Sequence, residues 1–335
     1  MSFSLIRNIL IVVLTFSHSV TWSQSPKIIG GNEAKLDEYP WMVGLMGAFI
    51  LDNQQALYCG GSLVADRWIL TAAHCLVGPS GNPKSPRGTE VYIGDVDLNG
   101  NGKRYTSRRF ILHPDYYQDD SNLQHNDIAL IELDEPVSAE KVNIATPLEM
   151  ATFQPPSTAT ILGWGAMAWE WENIATGQGI GSDYPGTLQQ ALVDTVSIQQ
   201  CATANTLTIE DYMMCAAGNE PPADACIGDS GGPLVAQLNG AWYQFGVTSF
   251  GIGCASAGHY GVYTRIAMYT DWLQEYLPQS SAPEPTPATP ITDEESEATA
   301  QESDSGGGGG SMGWLVALLA IFMSLRWRCR TAYFQ

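Results

Sequence analysis

The chain has 335 residues, of which 44% are hydrophobic and 15% are charged, and its formal net charge is −20. This length allows one large domain or two ordinary ones, and the apolar content is enough for a sizeable core, so wholesale disorder is excluded. A strongly anionic chain has no electrostatic attraction for nucleic acid or anionic lipid. The composition therefore predicts an acidic globular protein with no nucleic-acid partner.

Residues 1–23 have the pattern of a secretory signal peptide. Arg7 supplies a positive start, Ile9 to Phe16 form a short apolar run, and small polar residues follow up to Ser23. A buried N-terminal strand is the alternative interpretation. Export would place the chain in a compartment where disulfides form.

The region from Lys27 to about Leu277 has an all-β pattern. Short apolar or alternating runs are separated by clusters of Gly, Pro, Asn and Asp, which favours a barrel or a sandwich. The clearest runs are Trp41–Leu45, Trp68–Thr71, Ile128–Leu133, Thr158–Leu162 and Gln244–Ser249. One helix is predicted at the end of this region, with apolar residues at helical spacing from Tyr269 to Leu277 and an end at Pro278.

The C-terminal part has a different composition. Residues 279–311 contain seven acids, no bases and five consecutive glycines, Gly306–Gly310, so we expect a disordered, extended linker. Residues 312–325 are an apolar run that we expect to form a short transmembrane helix and to hold the tail in the membrane before processing, although its length of about 21 Å is short for a hydrocarbon core of about 30 Å. Residues 326–335 carry three arginines, and the positive-inside rule predicts a cytoplasmic tail.

Six of the seven cysteines lie in the β-rich region, and Cys329 lies in the basic tail. Six cysteines allow fifteen pairings, and their spacing alone does not choose among them. Cys329 is separated from the others by the linker, and we expect it to be unpaired.

Three separated segments together suggest a catalytic serine. They are Thr71-Ala72-Ala73-His74-Cys75, Asp127-Ile128-Ala129-Leu130 and Gly228-Asp229-Ser230-Gly231-Gly232-Pro233. A nucleophilic serine needs a base for its proton, a buried carboxylate that orients the base, and backbone N–H donors for the oxyanion. Each segment alone also has an ordinary explanation as core or turn, but the three in this order are hard to obtain by chance.

On these motifs, residues 28–278 resemble the trypsin-like serine proteases of the chymotrypsin family. The resemblance implies two six-stranded antiparallel β-barrels with a C-terminal helix, and an active site in the cleft between the barrels. It implies His74 as general base, Asp127 as its orienting carboxylate and Ser230 as nucleophile of an acyl-enzyme mechanism. The amides of Gly228 and Ser230 would form the oxyanion hole.

The segment Lys27-Ile28-Ile29-Gly30-Gly31 resembles the activation site of the same family. The resemblance implies a zymogen with a short pro-piece, residues 24–27, and cleavage of the Lys27–Ile28 bond. The amino group released on Ile28 would then pair with the carboxylate of Asp229, because a buried carboxylate needs a cation partner.

The resemblance also implies three disulfides and a primary specificity pocket. The disulfides would be Cys59–Cys75, Cys201–Cys215 and Cys226–Cys254. Asp224 would lie at the floor of the pocket, with Ser249, Gly251 and Gly261 along its wall. A carboxylate in an open pocket selects Arg or Lys before the cleaved bond, so the expected substrates are polypeptides with those residues.

The resemblance implies that catalysis requires no cofactor, although two cation sites are suggested. Asp95 and Asp97 begin a segment similar to a calcium loop without its closing glutamate, and a solvated acidic turn is the alternative. Tyr260 is compatible with a sodium-binding loop of the family. The loop from Gly165 to Tyr184 is longer than in pancreatic trypsins and contains two tryptophans, which we expect to pack on the barrel.

The order of glycine run, short apolar helix and arginine cluster resembles the bacterial GlyGly-CTERM sorting signal. This resemblance implies a rhomboid-type protease and type II secretion as partners, and a location at or beyond the surface of a Gram-negative cell. A plain C-terminal membrane anchor is the alternative.

Two other functions have to be weighed. A protease fold that lost its activity and serves as a binding module normally lacks a catalytic residue, whereas this chain has the full set. A carboxylesterase-type hydrolase would use a Gly-x-Ser-x-Gly turn, which Gly228, Ser230 and Gly232 do match. Such enzymes have an α/β pattern and a histidine after the serine, so the all-β pattern and the earlier histidine disfavour this function.

Overall fold

The computed structural model describes residues 28–173, 178–219 and 222–278. The predicted signal peptide, the pro-piece with Lys27, the acidic linker, the apolar run and the basic tail all lie outside the described residues. Within the described residues, no helix is long and apolar enough to cross a membrane.

The N-terminal half of the described chain contains a closed six-stranded barrel. Its strands are β1 (Met42–Gly47), β2 (Leu57–Ala65), β3 (Trp68–Thr71), β4 (Thr89–Ile93), β5 (Lys103–Leu112) and β6 (Ala129–Leu133). They pair in the order β1-β2-β3-β6-β5-β4, and β4 pairs with β1 to close the ring. Every pair is antiparallel.

The C-terminal half contains the second ring of six antiparallel strands. They are β7 (Thr158–Gly163), β8 (Gln189–Val196), β9 (Met213–Asn219), β10 (Pro233–Leu238), β11 (Ala241–Phe250) and β12 (Gly261–Arg265). The order is β8-β7-β10-β11-β12-β9, and β9 pairs with β8. The prediction of two six-stranded antiparallel barrels is therefore confirmed.

The alternation of side chains explains why these segments form strands. In β8, Gln189, Ala191, Val193 and Thr195 are buried, whereas Leu192 between them is exposed. Successive side chains of a strand point to opposite faces, so the buried set lines the barrel interior. Closure also removes the unpaired edges that an open sheet would present.

Helices and short strands lie before, between and after the barrel strands. The α-helices are α1 (Asn53–Ala56), α2 (Pro147–Thr152), α3 (Ile198–Asn205) and α4 (Thr270–Gln274), and the 3₁₀ turns are Ala73–Leu76, Pro86–Gly88 and Ile266–Tyr269. The short strands are Asn32–Glu33, Tyr117–Gln118, Gln124–His125, Asn143–Ile144, Ala168–Asn173, Gln178–Ser182 and Pro222–Ala223.

The C-terminal helix is shorter than its sequence pattern predicts. The α-helix α4 ends at Gln274, and the amide of Tyr276 then donates to the carbonyl of Leu273, an i→i+3 bond of a tightened last turn. The amide of Leu277 also donates to the carbonyl of Leu273 over 2.9 Å, and Pro278, which disfavours helical geometry in the residue before it, prevents further continuation. The apolar face still packs: Trp272 and Leu273 are buried against the first barrel.

The long loop between β7 and β8 of the second barrel forms a hairpin of Ala168–Asn173 and Gln178–Ser182. Trp169 packs against the core of the second barrel, as expected. The side chain of Trp171, the other tryptophan of this loop, lies outside the described residues.

Candidate active site

The structure brings His74 and Asp127 into contact, although 53 positions separate them. His74 lies in the 3₁₀ turn that follows β3, and Asp127 lies just before β6, the strand that pairs with β3. Nδ1 of His74 is 2.7 Å from Oδ2 of Asp127, and the backbone amide of His74 donates to Oδ1 over 2.9 Å. The pairing of the two strands therefore sets the orientation of the imidazole.

Asp127 is buried, and its carboxylate is surrounded by donors. Ser249 Oγ donates to Oδ2 over 2.5 Å, and Thr264 Oγ1 donates to the backbone carbonyl of Asp127 over 2.7 Å. Burial by itself would raise the pKa of Asp127, but the facing imidazole and the hydrogen bonds from His74 and Ser249 bring the pKa below its ordinary value. The carboxylate is therefore available to stabilise a protonated imidazole.

Ser230 lies on a turn before β10 that contacts the first barrel. The amide of Gly60, on β2, donates to the carbonyl of Ser230 over 2.7 Å. Ser230 Oγ is buried and has no hydrogen-bond partner among the described residues, and Nε2 of His74 lies 3.8 Å from Sγ of Cys75. In enzymes without substrate, the bond between nucleophile and base is often long and tightens only in the reacting complex.

The loop around Ser230 contains the two amides predicted to form the oxyanion hole. Gly228 has φ +100°, a conformation that favours glycine, and a Cβ there would lie 3.0 Å from Cα of Gly165. The amides of Gly228 and Ser230 donate to no other atom of the described chain. These two N–H groups are therefore free to bind a developing oxyanion.

The structure contains the three disulfides that the resemblance implied: Cys59–Cys75, Cys201–Cys215 and Cys226–Cys254. The first joins β2 to the turn that carries His74. The third joins the loop before Ser230 to the loop after β11.

Asp224 lies in the second barrel with an unsatisfied oxygen. It is buried; Oδ2 accepts a hydrogen bond from the amide of Ala255 over 3.1 Å, while Oδ1 has no partner among the described residues. Burial raises the pKa of Asp224 to about 7, partly offset by the amides of Ala255 and Ala225. A Cβ on Gly261 would lie 2.7 Å from Oδ1, closer than the two atoms can approach, so a larger residue there would displace this oxygen.

The other predicted pocket residues lie nearby in sequence and in the sheet. Gly251 is buried directly after β11, whose Phe250 pairs with Val262 next to Gly261. Ser249 is buried too, but its hydroxyl is bound to Asp127. The predicted place of Ser249 along the pocket wall stays a prediction, because the bond of its hydroxyl to Asp127 neither supports nor excludes it.

Asp229 and Ile28 occupy one buried region. Oδ1 of Asp229 accepts from the amide of Gly165 over 2.7 Å, and Oδ2 accepts from the amide of Cys226 over 2.8 Å. Burial raises the pKa of Asp229 to about 7, against the lowering effect of these bonds. Ile28 is fully buried in a cluster that includes Cys226 and Ala166, which places it beside the same loop.

The two suggested cation sites remain predictions. Asp95 and Asp97 direct their carboxylates to amides of their own loop, from Asp97 and Asn101 and from Asn99 respectively. In the described ranges, one group of three potential metal ligands is close enough to share an ion: Cys59, His74 and Cys75. Its two sulfurs are joined in a disulfide and provide no thiolate. At the suggested sodium loop, Asn205 bonds both the amide and the carbonyl of Tyr260.

Two antiparallel barrels that carry a His–Asp pair and a buried serine have the architecture of a serine endopeptidase. The sequence model of the trypsin family matches residues 28–273 of the chain. Among curated proteins, the chain is similar to a mouse protein named tryptase, with 36% identity over 265 residues, which cover 75% of this chain and 89% of the mouse protein. The chain therefore belongs to the trypsin family.

Sequence reasoning missed several contacts of this site. The bonds from Ser249 and Thr264 to Asp127 have no local signal, because both residues lie more than 120 positions away from it. Sequence reasoning also missed that Lys84 lies beside the 3₁₀ turn Ala73–Leu76, here called the catalytic turn because it carries His74. A single lysine in a Gly- and Pro-rich loop ordinarily indicates a solvated surface.

Proposed function

We propose that this serine endopeptidase is secreted as a zymogen and hydrolyses peptide bonds after Arg or Lys. The observation that carries the specificity is the buried, unpartnered Oδ1 of Asp224. A buried carboxylate without a partner is costly, and a basic side chain that enters the pocket relieves that cost. An apolar substrate side chain would leave the carboxyl unpaired or protonated.

In the proposed mechanism, Ser230 Oγ attacks the scissile carbonyl carbon while its proton passes to Nε2 of His74. Asp127 stabilises the resulting imidazolium, and the amides of Gly228 and Ser230 bind the oxyanion. The C–N bond then breaks as His74 gives the proton to the leaving amine. A water molecule then attacks the acyl-enzyme while His74 takes its proton, and the bond to Ser230 Oγ breaks as His74 returns the proton to this oxygen. The carboxylic acid product is released.

Zymogen activation is supported by the backbone of Ile28. This β-branched residue has φ +41°, in the left-handed region that such residues rarely adopt. Cleavage of the Lys27–Ile28 bond would remove the preceding carbonyl and with it the steric cause of the strain. The released ammonium would be beside the loop that buries Asp229, whose carboxylate needs a cation.

The test is a panel of peptide amides with Arg, Lys, Phe, Leu or Ala before the scissile bond. We expect turnover of only the Arg and Lys peptides, only after cleavage of Lys27–Ile28, and none with Ser230→Ala. Asp224→Asn should lower kcat/KM for the basic peptides roughly a hundredfold or more, because one partner of a buried charge pair is lost. Asp134→Asn, an exposed acid of the first barrel, is the matched control.

Two results would contradict the proposal. Equal turnover of Phe and Arg peptides would show that Asp224 does not determine which residue is accepted before the scissile bond. No turnover of any peptide by correctly cut protein would favour the binding-module alternative.

For the C-terminal residues we propose the sorting signal described above, with removal of the apolar helix and export to the cell surface or medium. The support is the order of glycine run, short apolar run and arginines in residues 306–330. The mouse relative offers no support for a bacterial tail. The intact mass of the mature protein distinguishes processing from a plain anchor. A mass that corresponds to a C-terminus near the glycine run supports processing, and a mass that includes residues 312–335 supports the plain anchor.

A further inference from the structure

Lys84 places an ammonium group next to the catalytic turn. Its Nζ donates to the carbonyl of Cys75 over 2.8 Å and lies 4.0 Å from the centroid of the Tyr58 ring. The loop that carries it is fixed, because the amide of Lys84 donates to the carbonyl of Leu76 and Pro83 bridges to Val77. The ammonium is thus held one residue beyond His74.

Lys84 has no carboxylate partner among the described residues. Two other lysines of the first barrel pair with acids, Lys103 with Glu135 and Lys141 with Asp66. The chain has 35 acidic and only 15 basic residues, so an unpaired lysine is not explained by a shortage of acids. Burial lowers the pKa of Lys84 to about 8, as expected for an ammonium that gave up water without gaining an anion.

The side of the scissile bond on which Lys84 lies follows from the barrel that carries it. The pocket of Asp224 belongs to the second barrel and takes the residue before the scissile bond. The disulfide Cys59–Cys75 belongs to the first barrel, and its Sγ atom on Cys75 is 3.8 Å from Nε2 of His74, the atom that protonates the leaving amine. The substrate chain after the scissile bond therefore passes this disulfide, which Tyr58 and Lys84 flank.

We infer that Lys84 binds an acidic side chain of the substrate on the leaving-group side of the scissile bond. The preferred substrates are then polypeptides in which Arg or Lys is followed, one or two positions later, by Asp or Glu. Lys84 is half-buried, so a carboxylate can reach it without prior unfolding of the loop. This inference rests on the proposed function.

One consequence concerns activation. The residues after Lys27 are Ile28, Ile29 and Gly30, none of which is acidic. The activation bond of the chain thus lacks the feature that Lys84 recognises, and we expect the mature enzyme to cut it more slowly than an Arg–Asp bond in an otherwise similar peptide.

The test uses cut protein and quenched fluorescent peptides that differ at the first or second position after an invariant Arg. We expect kcat/KM for Asp and Glu to exceed that for the isosteric Asn and Gln by roughly tenfold at one of these positions, the range of a partly solvated charge pair. Lys84→Met should reduce this ratio to about one and leave the Asn and Gln peptides nearly unchanged. Lys84→Arg should preserve the ratio.

Lys141→Met is the matched control, since Lys141 lies on the same barrel and pairs with Asp66. A merely structural role of Lys84 would lower all rates together without changing the acid-to-amide ratio. The inference is overturned if wild-type protein shows no preference for acids, or if the preference survives Lys84→Met. Failure of the proposed function would be seen separately, as loss of discrimination between Arg and Phe before the scissile bond.

Discussion

At the residue scale, the carboxylate of Asp127 depends on donors from both barrels. His74 supplies two hydrogen bonds and Ser249 a third, and Ser249 shares Oδ2 with Nδ1 of His74. Hydrogen bonds to a buried carboxylate favour its charged form and oppose the effect of burial. A residue of the second barrel, Ser249, therefore stabilises the carboxylate that orients the base His74 of the first barrel.

We expect Ser249→Ala to lower kcat about tenfold with little change in KM. The substitution removes a donor from the charged form of Asp127, a bond of about 1.5 to 3 kcal/mol, and weakens stabilisation of the imidazolium only when it forms. Steady-state kinetics on an Arg peptide measure both constants. Ser107→Ala is the control, because Ser107 is also buried but its hydroxyl has no partner among the described residues. An unchanged kcat, or a change confined to KM, would contradict this role.

At the scale of elements, the turn that carries Ser230 packs directly against strands β2 and β3. Gly231 has φ +78°, and a Cβ on it would lie 2.2 Å from Oγ1 of Thr71 and 2.6 Å from the carbonyl oxygen of Gly60. Both contacts are closer than atoms can approach, and one is with backbone. This glycine is what allows the nucleophile turn to reach the first barrel.

Gly231→Ala should therefore abolish most activity and lower the free energy of unfolding by about 3 kcal/mol or more, from left-handed strain plus the forced separation of the elements. Gly240→Ala is a matched control: its φ is +81°, but nothing lies within 4 Å of a Cβ there, so only about 1 to 2 kcal/mol of strain is expected. Urea unfolding measures both. Equal losses would show that packing against β2 and β3 contributes nothing.

At the scale of the whole molecule, two buried carboxyls make the stability of the uncut chain depend on pH. Burial raises the pKa of both Asp224 and Asp229 to about 7 from an ordinary value near 4. The folded state then binds these two protons more tightly than the unfolded state does, so the contribution of these two carboxyls to stability is present at low pH and is lost as the pH rises from about 4 through 7.

We expect cleavage of Lys27–Ile28 to remove the part of this loss that Asp229 causes, because an ammonium then faces its carboxylate. The free energy of unfolding of the cut chain minus that of the uncut chain should be small at pH 5 and should grow as the pH rises through about 7. Urea titrations of Ser230→Ala protein, cut by an added protease and uncut, measure this difference. A difference independent of pH would show that the new terminus does not pair with Asp229.

Much of the fold could be predicted from local pattern. The run Trp68–Thr71 is a strand with the predicted bounds, and Thr158–Leu162 is extended by one residue. The regular α-helix after Tyr269 ends at Gln274, before the Leu277 that the apolar spacing predicts, although the amide of Leu277 still donates to the carbonyl of Leu273. The apolar pattern identifies the buried face of an element more reliably than its last residue.

The catalytic residues could be predicted from short motifs, but the hydrogen bonds that stabilise the charge of Asp127 could not. His74, Asp127 and Ser230 lie in short segments with recognisable neighbours, so each could be identified without knowledge of the others' positions. The bond from the hydroxyl of Ser249 to Asp127 has no signal in these motifs, because Ser249 lies far from Asp127 in the chain and at an irregular position in the register of β11. One position of register moves a side chain to the opposite face of a strand.

By itself, the sequence of this protein determined the β pattern, the catalytic residue types and the acid at the predicted pocket floor, because each depends on neighbours close in the chain. Only the tertiary structure decided that β8 closes on β9, that one oxygen of Asp224 has no partner among the described residues, and that Lys84 binds the carbonyl of Cys75 and no acid of the described chain. These properties depend on which distant groups meet and which are desolvated. Such contacts form only when strands far apart in the chain pair to close a barrel, so no short segment of the sequence predicts them.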